Sequence, residues 1–386
     1  MLDLTDPGFV ADPYPALAAA RAAGPVRYDE ASGLWLALSW EHANQVLRDR
    51  RLGRIWRDRE PADRFAPFNA LHRHQMMENE PPEHTRLRSL VARAFSRGHV
   101  ERLRPRVSAL AAELLEAAGS EFDLIADYAE PLPVRVIAEL LGVPEPDRPL
   151  LRPWSQAIVR MYEYERTPEV EAAAVAAATG FAGYLRELAA DRRRRPGEDL
   201  VSHLAATDGL SEDELVASAI LLLNAGHEAS VNGLGNGVVA LLRHPAELAR
   251  LRADPDGLAG TAAEEMLRYD APLQLFERTA REDTPVGDVV VPAGRKVAAL
   301  LGAANRDPAA FADPDRFDLA RDPNPHLGFG AGLHFCLGAP LARVELRIAL
   351  ATLVRRCPGL TPAADPVRRP TFVLRGYQEI RVRRNG

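Results

Sequence analysis

The sequence predicts a mainly helical α+β fold, with a large helical part, small β-sheets and a long central helix. Three observations carry this. Helical apolar spacing dominates residues 85–190, a nearly continuous apolar helix pattern covers residues 215–239, and short β-like runs gather towards the two ends of the chain. A doubly wound sheet would need strands alternating regularly with helices, and the chain lacks that alternation.

In chain order, residues 34–39 read as a strand and 40–48 as a helix by apolar spacing, so a small sheet is expected near the N-terminus. Residues 107–118 and 172–190 are helical, broken by proline-bearing turns at 131–133 and 143–146. The four arginines and Pro-Gly of residues 192–197 read as a solvated loop joining two helices. Ser211 to Glu214 match a capping box, in which the serine hydroxyl and the N3 glutamate satisfy backbone N–H groups. The helix it opens runs to about Arg243, roughly 50 Å at ~1.5 Å per residue. A further helix ends near Tyr269, β-like pieces fall at 289–291, 296–300, 371–374 and 379–382, and a helix covers 339–350.

With 386 residues, 47% of them hydrophobic and 26% charged, the chain can bury a large core. No repeat or flexible linker divides it, so a single domain over 1–386 is expected. A net charge of −6 argues against a global attraction to nucleic acid or an anionic membrane. Lys296 is the only lysine, and the positive charge is otherwise arginine. The first 26 residues lack the basic start and apolar run of a signal peptide or anchor. Cys336 and Cys357 form no cystine framework, so a cytoplasmic location is expected.

Against the apolar background of the central helix, Asn224, His227, Glu228 and Ser230 are costly polar choices. They suit either a satisfied polar seam or, beside the Ala225-Gly226 pair, a helix deformed over a ligand. The densest signal is the run from His326 to Gly338, where Gly328, Gly330 and Gly332 alternate ahead of Cys336. Such glycines let a backbone pass close to a flat or bulky group. The helix beginning just beyond offers N–H groups and a positive dipole end that favour a thiolate. One thiolate cannot build a tetrahedral zinc site, and no second Cys/His pair has the required spacing. Haem iron needs only one such ligand.

The pattern Phe329-Gly330-x-Gly332-x-His334-x-Cys336-x-Gly338 resembles the cysteine-loop signature of the cytochrome P450 superfamily. Glu265-x-x-Arg268 resembles the family's buried ion pair, and Pro314-Asp315-Arg316-Phe317 resembles the segment whose arginine, Arg316, would complete its network. Pro81 to Arg88 resembles a helix start of the soluble bacterial, actinomycete-type members, and the likeness runs from Asp12-Pro13-Tyr14-Pro15 through Ala304 to Pro308 and on to Arg375-Gly376. The resemblance implies the cytochrome P450 fold and haem b as cofactor, with Cys336 as its iron ligand and Phe329 and Gly338 in the cofactor loop. It implies that His84, Arg88, Arg278 and His334 hold the two propionates by charge-assisted hydrogen bonds. O2 and electrons from NAD(P)H, passed through a ferredoxin reductase and a ferredoxin, complete the implied reaction. Arg93, Arg97, Arg102, Arg104 and Arg106 could offer an acidic ferredoxin a basic patch, or be a solvated helix face.

One position departs from the family. Where an Ala/Gly-Gly-x-Asp/Glu-Thr segment is expected, the chain has Ala225-Gly226-His227-Glu228-Ala229-Ser230, so the acid is present and the threonine is Ala229. Ser230 lies ~100° further round the helix and cannot simply replace it. The resemblance implies that this threonine supports proton supply for O–O cleavage. An ordered water, a substrate hydroxyl, or a reaction that inserts no oxygen would each account for the change. Family position places Met76, Met77, Asn224, Ala225, Leu275, Phe276, Val373 and Leu374 against substrate, a mostly apolar lining for a medium-sized organic molecule. Residues 56–73 are expected to form a mobile cover. The expected function is a haem-thiolate monooxygenase of bacterial secondary metabolism, with oxidative coupling, desaturation or rearrangement as the alternative and a non-turnover haem carrier as the third reading.

Overall fold

The computed structural model describes residues 2–385, which part into two compact units built of separate stretches of chain. One contains the described residues up to Gly53, then Leu103–Leu132 and the chain from Ala229 onward; the other contains Arg54–Arg102 and Pro133–Glu228.

The first unit holds the sheets. Its five-stranded sheet has the order Val26–Asp29, Leu34–Ala37, Lys296–Leu300, Leu275–Ala280, Leu52–Gly53. Leu34–Ala37 runs antiparallel to Val26–Asp29 and parallel to Lys296–Leu300. The N-terminal sheet expected from residues 34–39 is therefore completed by strands from the second half of the chain. The helix Trp40–Arg48 matches its expected bounds, and the Ser39 side chain caps it by accepting from the His42 N–H. Its Ala43, Val46 and Leu47 share a core with Val297, Ala299 and Leu301.

Several expectations need correction. Residues 131–133 do not form a turn but begin the helix Pro131–Leu141, whose first turn has no intrahelical use for the N–H groups that proline lacks. Residues 371–374 form no strand; Thr371 Oγ1 donates to the Leu374 carbonyl at 2.8 Å, and a single bridge joins Leu374 to Leu273. The piece expected at 379–382 is two strands, Tyr377–Glu379 and Arg381–Asn385. Arg192, Arg193 and Arg194 belong to the last turn of the helix Pro168–Arg194, and Arg192 is fixed by Asp199 at 2.9 Å and the Gly142 carbonyl at 2.6 Å.

The two ends of the chain meet in a buried network. Asp270 accepts from Tyr14 Oη at 2.7 Å, Arg375 Nε at 2.7 Å and Arg368 Nη2 at 2.9 Å, while Arg375 Nη2 reaches the Ala11 carbonyl at 2.9 Å. Burial alone would raise the Asp270 pKa, but the Arg375 and Arg368 charges and the Tyr14 hydrogen bond overcome it and hold the value at about 2, against 3.8 ordinarily. A depressed folded-state pKa stabilises the fold above the unfolded value, and the gain is lost as pH falls through the folded one. About 2 kcal/mol is therefore expected to disappear between pH 3.8 and about 2. Asp270→Asn should flatten the acid limb of a thermal-unfolding profile over that interval; an unchanged limb would show that Asp270 is not the group responsible.

The second unit is helical. Residues 56–73, expected as a mobile cover, contain the helix Ala62–Arg73 with Phe65 and Phe68 buried. The His72 ring stacks on Trp56 at 4.4 Å and Phe68 at 4.2 Å, and Nε2 lies 3.2 Å from the Tyr162 hydroxyl. Burial lowers the His72 pKa to about 4, so this ring stays neutral near pH 7. The central helix spans Glu212–Arg243, and its capping box forms as expected: Ser211 N–H donates to Glu214 at 2.9 Å, and Glu214 N–H donates to Ser211 Oγ at 3.2 Å. It is α-helical throughout, with no 3-10 or π turn at Ala225-Gly226. Among the described residues, no helix is long and apolar enough to cross a membrane.

Candidate active site

Cys336 closes a tight loop of the first unit. Gly330 and Gly332 take φ of +67° and +70°, and a Cβ at Gly332 would lie 2.5 Å from the Leu47 carbonyl oxygen. The loop therefore rests on the end of the helix Trp40–Arg48 at a distance only glycine allows. Leu327 and Ala331 enter the core beneath, and Cys336 N–H donates to the Phe329 carbonyl at 2.9 Å. The helix Ala339–Arg356 starts three residues later, so its positive end lies beside the cysteine. Gly338 adds no bulk there; a Cβ would reach only to 4.0 Å from Cys336 Sγ. The Arg343 guanidinium, 4.5 Å from the Phe329 ring centre, interacts with Cys336 electrostatically and favours the thiolate.

Buried charges fix the loop's position. Arg268 and Glu265 form a fully buried bidentate pair at 2.7 and 2.8 Å, and Arg268 Nη1 donates to the Asn305 carbonyl at 2.9 Å. The Asn305 side chain accepts from Leu327 N–H at 2.8 Å, which carries this rigidity into the cysteine loop. Glu264 binds His326 Nε2 at 3.1 Å and Arg343 at 2.8 and 2.9 Å; those partners outweigh its desolvation and lower its pKa to about 2. The expectation for Arg316 is corrected. Its side chain is 62% exposed, and the network takes only its carbonyl, from Arg268 at 3.1 Å. Arg321 completes the network instead, 3.2 Å from Glu265.

Arg278 is buried and shares one face of the strand Leu275–Ala280 with Phe276, whose ring would lie 3.4 Å from a Cβ at Gly330. Strand alternation sets Leu275 on the opposite face of that strand from Phe276. Val373 and Leu374 adjoin this segment, through Gln274 N–H to the Val373 carbonyl at 3.0 Å and the Leu273–Leu374 bridge. His334 ends a short 3-10 turn just before the cysteine.

In the second unit, His84 is buried and Arg88 half-buried, one turn apart on the helix Glu83–Ala92. Arg86 ties that helix to the start of the central helix through Glu214. Met76 is buried and Met77 half-buried in a short 3-10 turn. The central helix then shows a pattern of its own. Across residues 215–239, every residue is buried except Ala225, Gly226, Ala229 and Ser230. These four form two i,i+4 pairs, so the helix has one accessible face at the motif. Asn224 is buried with no hydrogen-bond partner for its Oδ1. Glu228 and His227 are buried too, with His227 Nδ1 3.8 Å from the Glu228 carboxylate and 3.4 Å from Ser155 Oγ.

The family model described as Cytochrome P450 matches residues 181–377. Over 391 residues the chain is 44% identical to the cytochrome P450 monooxygenase PikC of Streptomyces venezuelae, covering 97% of this chain and 92% of that protein. The chain is a cytochrome P450. It is 40% identical over 405 residues to the 6-deoxyerythronolide B hydroxylase of Saccharopolyspora erythraea, covering 100% of this chain and 99% of that one. Its fold matches the crystal structure of P450BioI in complex with a hexadec-9Z-enoic acid-ligated acyl carrier protein, with a TM-score of 0.95 and 36% identity over 98% of this chain and 100% of that one.

Cytochromes P450 bind haem b through a cysteine thiolate and act as monooxygenase-type oxidoreductases. The donor set of the first unit fits that cofactor: one cysteine in a glycine loop beside a helix start, and a buried arginine on the adjoining strand. Sequence reasoning missed Arg321, Glu264, His326 and the Asn305 bond, because each acts through partners distant in sequence. It also missed Asn232 and Asn236, although two more buried amides in an apolar helix were a visible signal. Asn236 donates to the Asp270 and Arg375 carbonyls at 3.1 and 3.0 Å.

Proposed function

We propose that this cytochrome P450 is a monooxygenase of bacterial secondary metabolism that oxidises a medium-sized organic substrate, with electrons delivered from NAD(P)H through a ferredoxin reductase and a ferredoxin. The carrying observation is the cysteine loop, which combines a thiolate-favouring helix start with a rigid buried anchor. In this reading the protein is one functional domain of the cytoplasm, Cys336 binds the iron, and Phe329 and Gly338 shape the loop. His84, Arg88, Arg278 and His334 hold the propionates. When bound, haem held by a thiolate supplies the electron push that favours O–O cleavage. Glu228 moves protons on the central helix, with His227 and Ser155 beside it. Met76, Met77, Asn224, Ala225, Leu275, Phe276, Val373 and Leu374 contact the substrate. Exposed Arg93, Arg97, Arg102 and Arg106, with half-buried Arg104, offer a surface to an acidic ferredoxin.

A second reading is favoured by Ala229. It lies on the accessible helix face and has no hydroxyl, which suits coupling, desaturation or rearrangement without oxygen insertion. The product mass from ferredoxin-driven turnover of a ligand that shifts the Soret band decides between them. The leading reading expects a gain of one oxygen atom, and Ala229→Thr should alter the coupling of electron use to product. Loss of two hydrogens, or a dimer mass, establishes the second reading.

A further inference from the structure

Two adjacent glutamates of the helix Pro255–Tyr269 have separate partners. Glu265 is committed to the buried pair with Arg268. Glu264 instead joins the cysteine loop to the helix that follows it, accepting from His326 Nε2 at 3.1 Å, Arg343 Nε at 2.8 Å and Arg343 Nη2 at 2.9 Å. Gly328 N–H donates to His326 Nδ1 at 3.1 Å, so the ring proton sits on Nε2, where it points at Glu264. That ring is therefore neutral, and it is Arg343 that brings positive charge to this carboxylate.

Arg343 also reaches the cysteine loop. Its guanidinium lies 4.5 Å from the centre of the Phe329 ring, and the Phe329 carbonyl receives Cys336 N–H at 2.9 Å. The hydrogen bond to Glu264 raises the Arg343 pKa most, and the Glu264 and Cys336 charges act in the same direction. Burial pushes the Glu264 carboxyl up, but His326 and Arg343 outweigh it and hold the value at about 2, so Glu264 is ionised at neutral pH. A guanidinium beside a thiolate stabilises negative charge there, and a carboxylate gripping the same guanidinium at two points offsets much of that effect. With side chains 43% and 24% exposed, Arg343 and Glu264 are partly screened by water, and the size of their influence is modest.

We propose that Glu264 and Arg343 act as opposed charges that set how readily the haem-thiolate centre takes up an electron, Arg343 favouring the reduced state and Glu264 restraining it. In that step one electron passes from a reduced ferredoxin, which is oxidised, to the iron, which is reduced. The centre gains one negative charge, and no bond is made or broken. Groups just outside a metal's own ligands tune it in this way. The inference rests on the reading that Cys336 binds the iron, and it makes Glu264 a positioning residue that acts through Arg343.

The test is the haem reduction potential of the purified, haem-loaded protein, followed by spectroelectrochemical titration. The Soret band of reduced, carbon monoxide-treated samples checks the thiolate ligand in each variant. At a fixed solution potential, Arg343→Gln should lower the ratio of reduced to oxidised haem about threefold, because Glu264 is left uncompensated, and Glu264→Gln should raise it about threefold. The double variant removes both charges and should return to within about 1.5-fold of wild type. Arg343→Lys keeps the charge without the planar fork and should stay close to wild type. Arg347→Gln, an exposed arginine about one turn further along the helix Ala339–Arg356, should change little. A purely structural role would move the two single variants the same way and leave the double variant furthest from wild type. That pattern, single variants that do not move, a lysine variant as low as Arg343→Gln, or an equal shift in Arg347→Gln would overturn the charge pair, while an intact thiolate band would leave Cys336 as the ligand. A wild type without that band would overturn the ligand reading and the charge pair with it.

Discussion

Cys336→Ser is expected to abolish the red-shifted Soret band that a thiolate ligand gives the reduced, carbon monoxide-treated protein, and to remove oxygenase turnover with it. The fold should survive. Cys336 is only half-buried, and the bond that shapes its loop runs from its backbone N–H to the Phe329 carbonyl, which serine preserves. The positive ends that favour a thiolate, the helix start at Ala339 and Arg343, cannot create one from a hydroxyl of far higher pKa. Cys357→Ser supplies the contrast. Cys357 is fully buried just past the far end of the same helix, and burial raises its thiol pKa. That change should cost some stability and leave the spectrum intact. A thiolate band that persists in Cys336→Ser, or vanishes in Cys357→Ser, would remove the assignment.

The contrast between these cysteines also shows what the chain discloses before its structure is seen. Local chemistry was legible: alternating glycines before Cys336, the capping box at Ser211, and the helix 40–48 all follow from neighbours within a turn or two. The accessible face at Ala225, Gly226, Ala229 and Ser230 was half legible. Ala225, Gly226, Ala229 and Ser230 stood out by motif, but that they are the residues left uncovered while Asn224, His227 and Glu228 are buried did not, because accessibility depends on what the rest of the fold covers. Strand partners were the least legible. Leu34–Ala37 lies beside Lys296–Leu300, a parallel pairing across more than half the chain that no local periodicity encodes. The strand expected at 371–374 failed for a related reason: a short β-like run becomes a strand only when a partner presents a free edge, and here just Leu273 does so.

Arg321→Ala is expected to be far more damaging than Arg316→Ala, although the sequence motif points to Arg316. The Glu265 carboxylate is fully buried and accepts from Arg268 Nε and Nη2, Arg321 Nε, Asn324 Nδ2 and Asp318 N–H. Arg321 is 10% exposed and also donates to the Ala312 and Asp313 carbonyls at 2.7 and 3.1 Å. Removing it leaves a buried anion with one guanidinium and takes the Arg321 donor from the Ala312 carbonyl and one of two donors from the Asp313 carbonyl, which keeps Arg316 N–H, a loss of about 3 kcal/mol by comparison with other broken buried pairs. Against a total stability on the order of 10 kcal/mol, that is a large fraction. The damage should travel, because Arg268 also holds Asn305, and Asn305 holds Leu327 at the entrance to the cysteine loop. Haem retention should therefore fall together with the thermal midpoint in Arg321→Ala. Arg316→Ala should stay within about 0.5 kcal/mol of wild type, as surface substitutions do. Its side chain reaches Asp318 only at 3.9 Å, and its carbonyl, the part the network uses, is present whatever the side chain. Equal losses of midpoint and haem in the two variants, or a larger loss in Arg316→Ala, would return the role to the motif arginine.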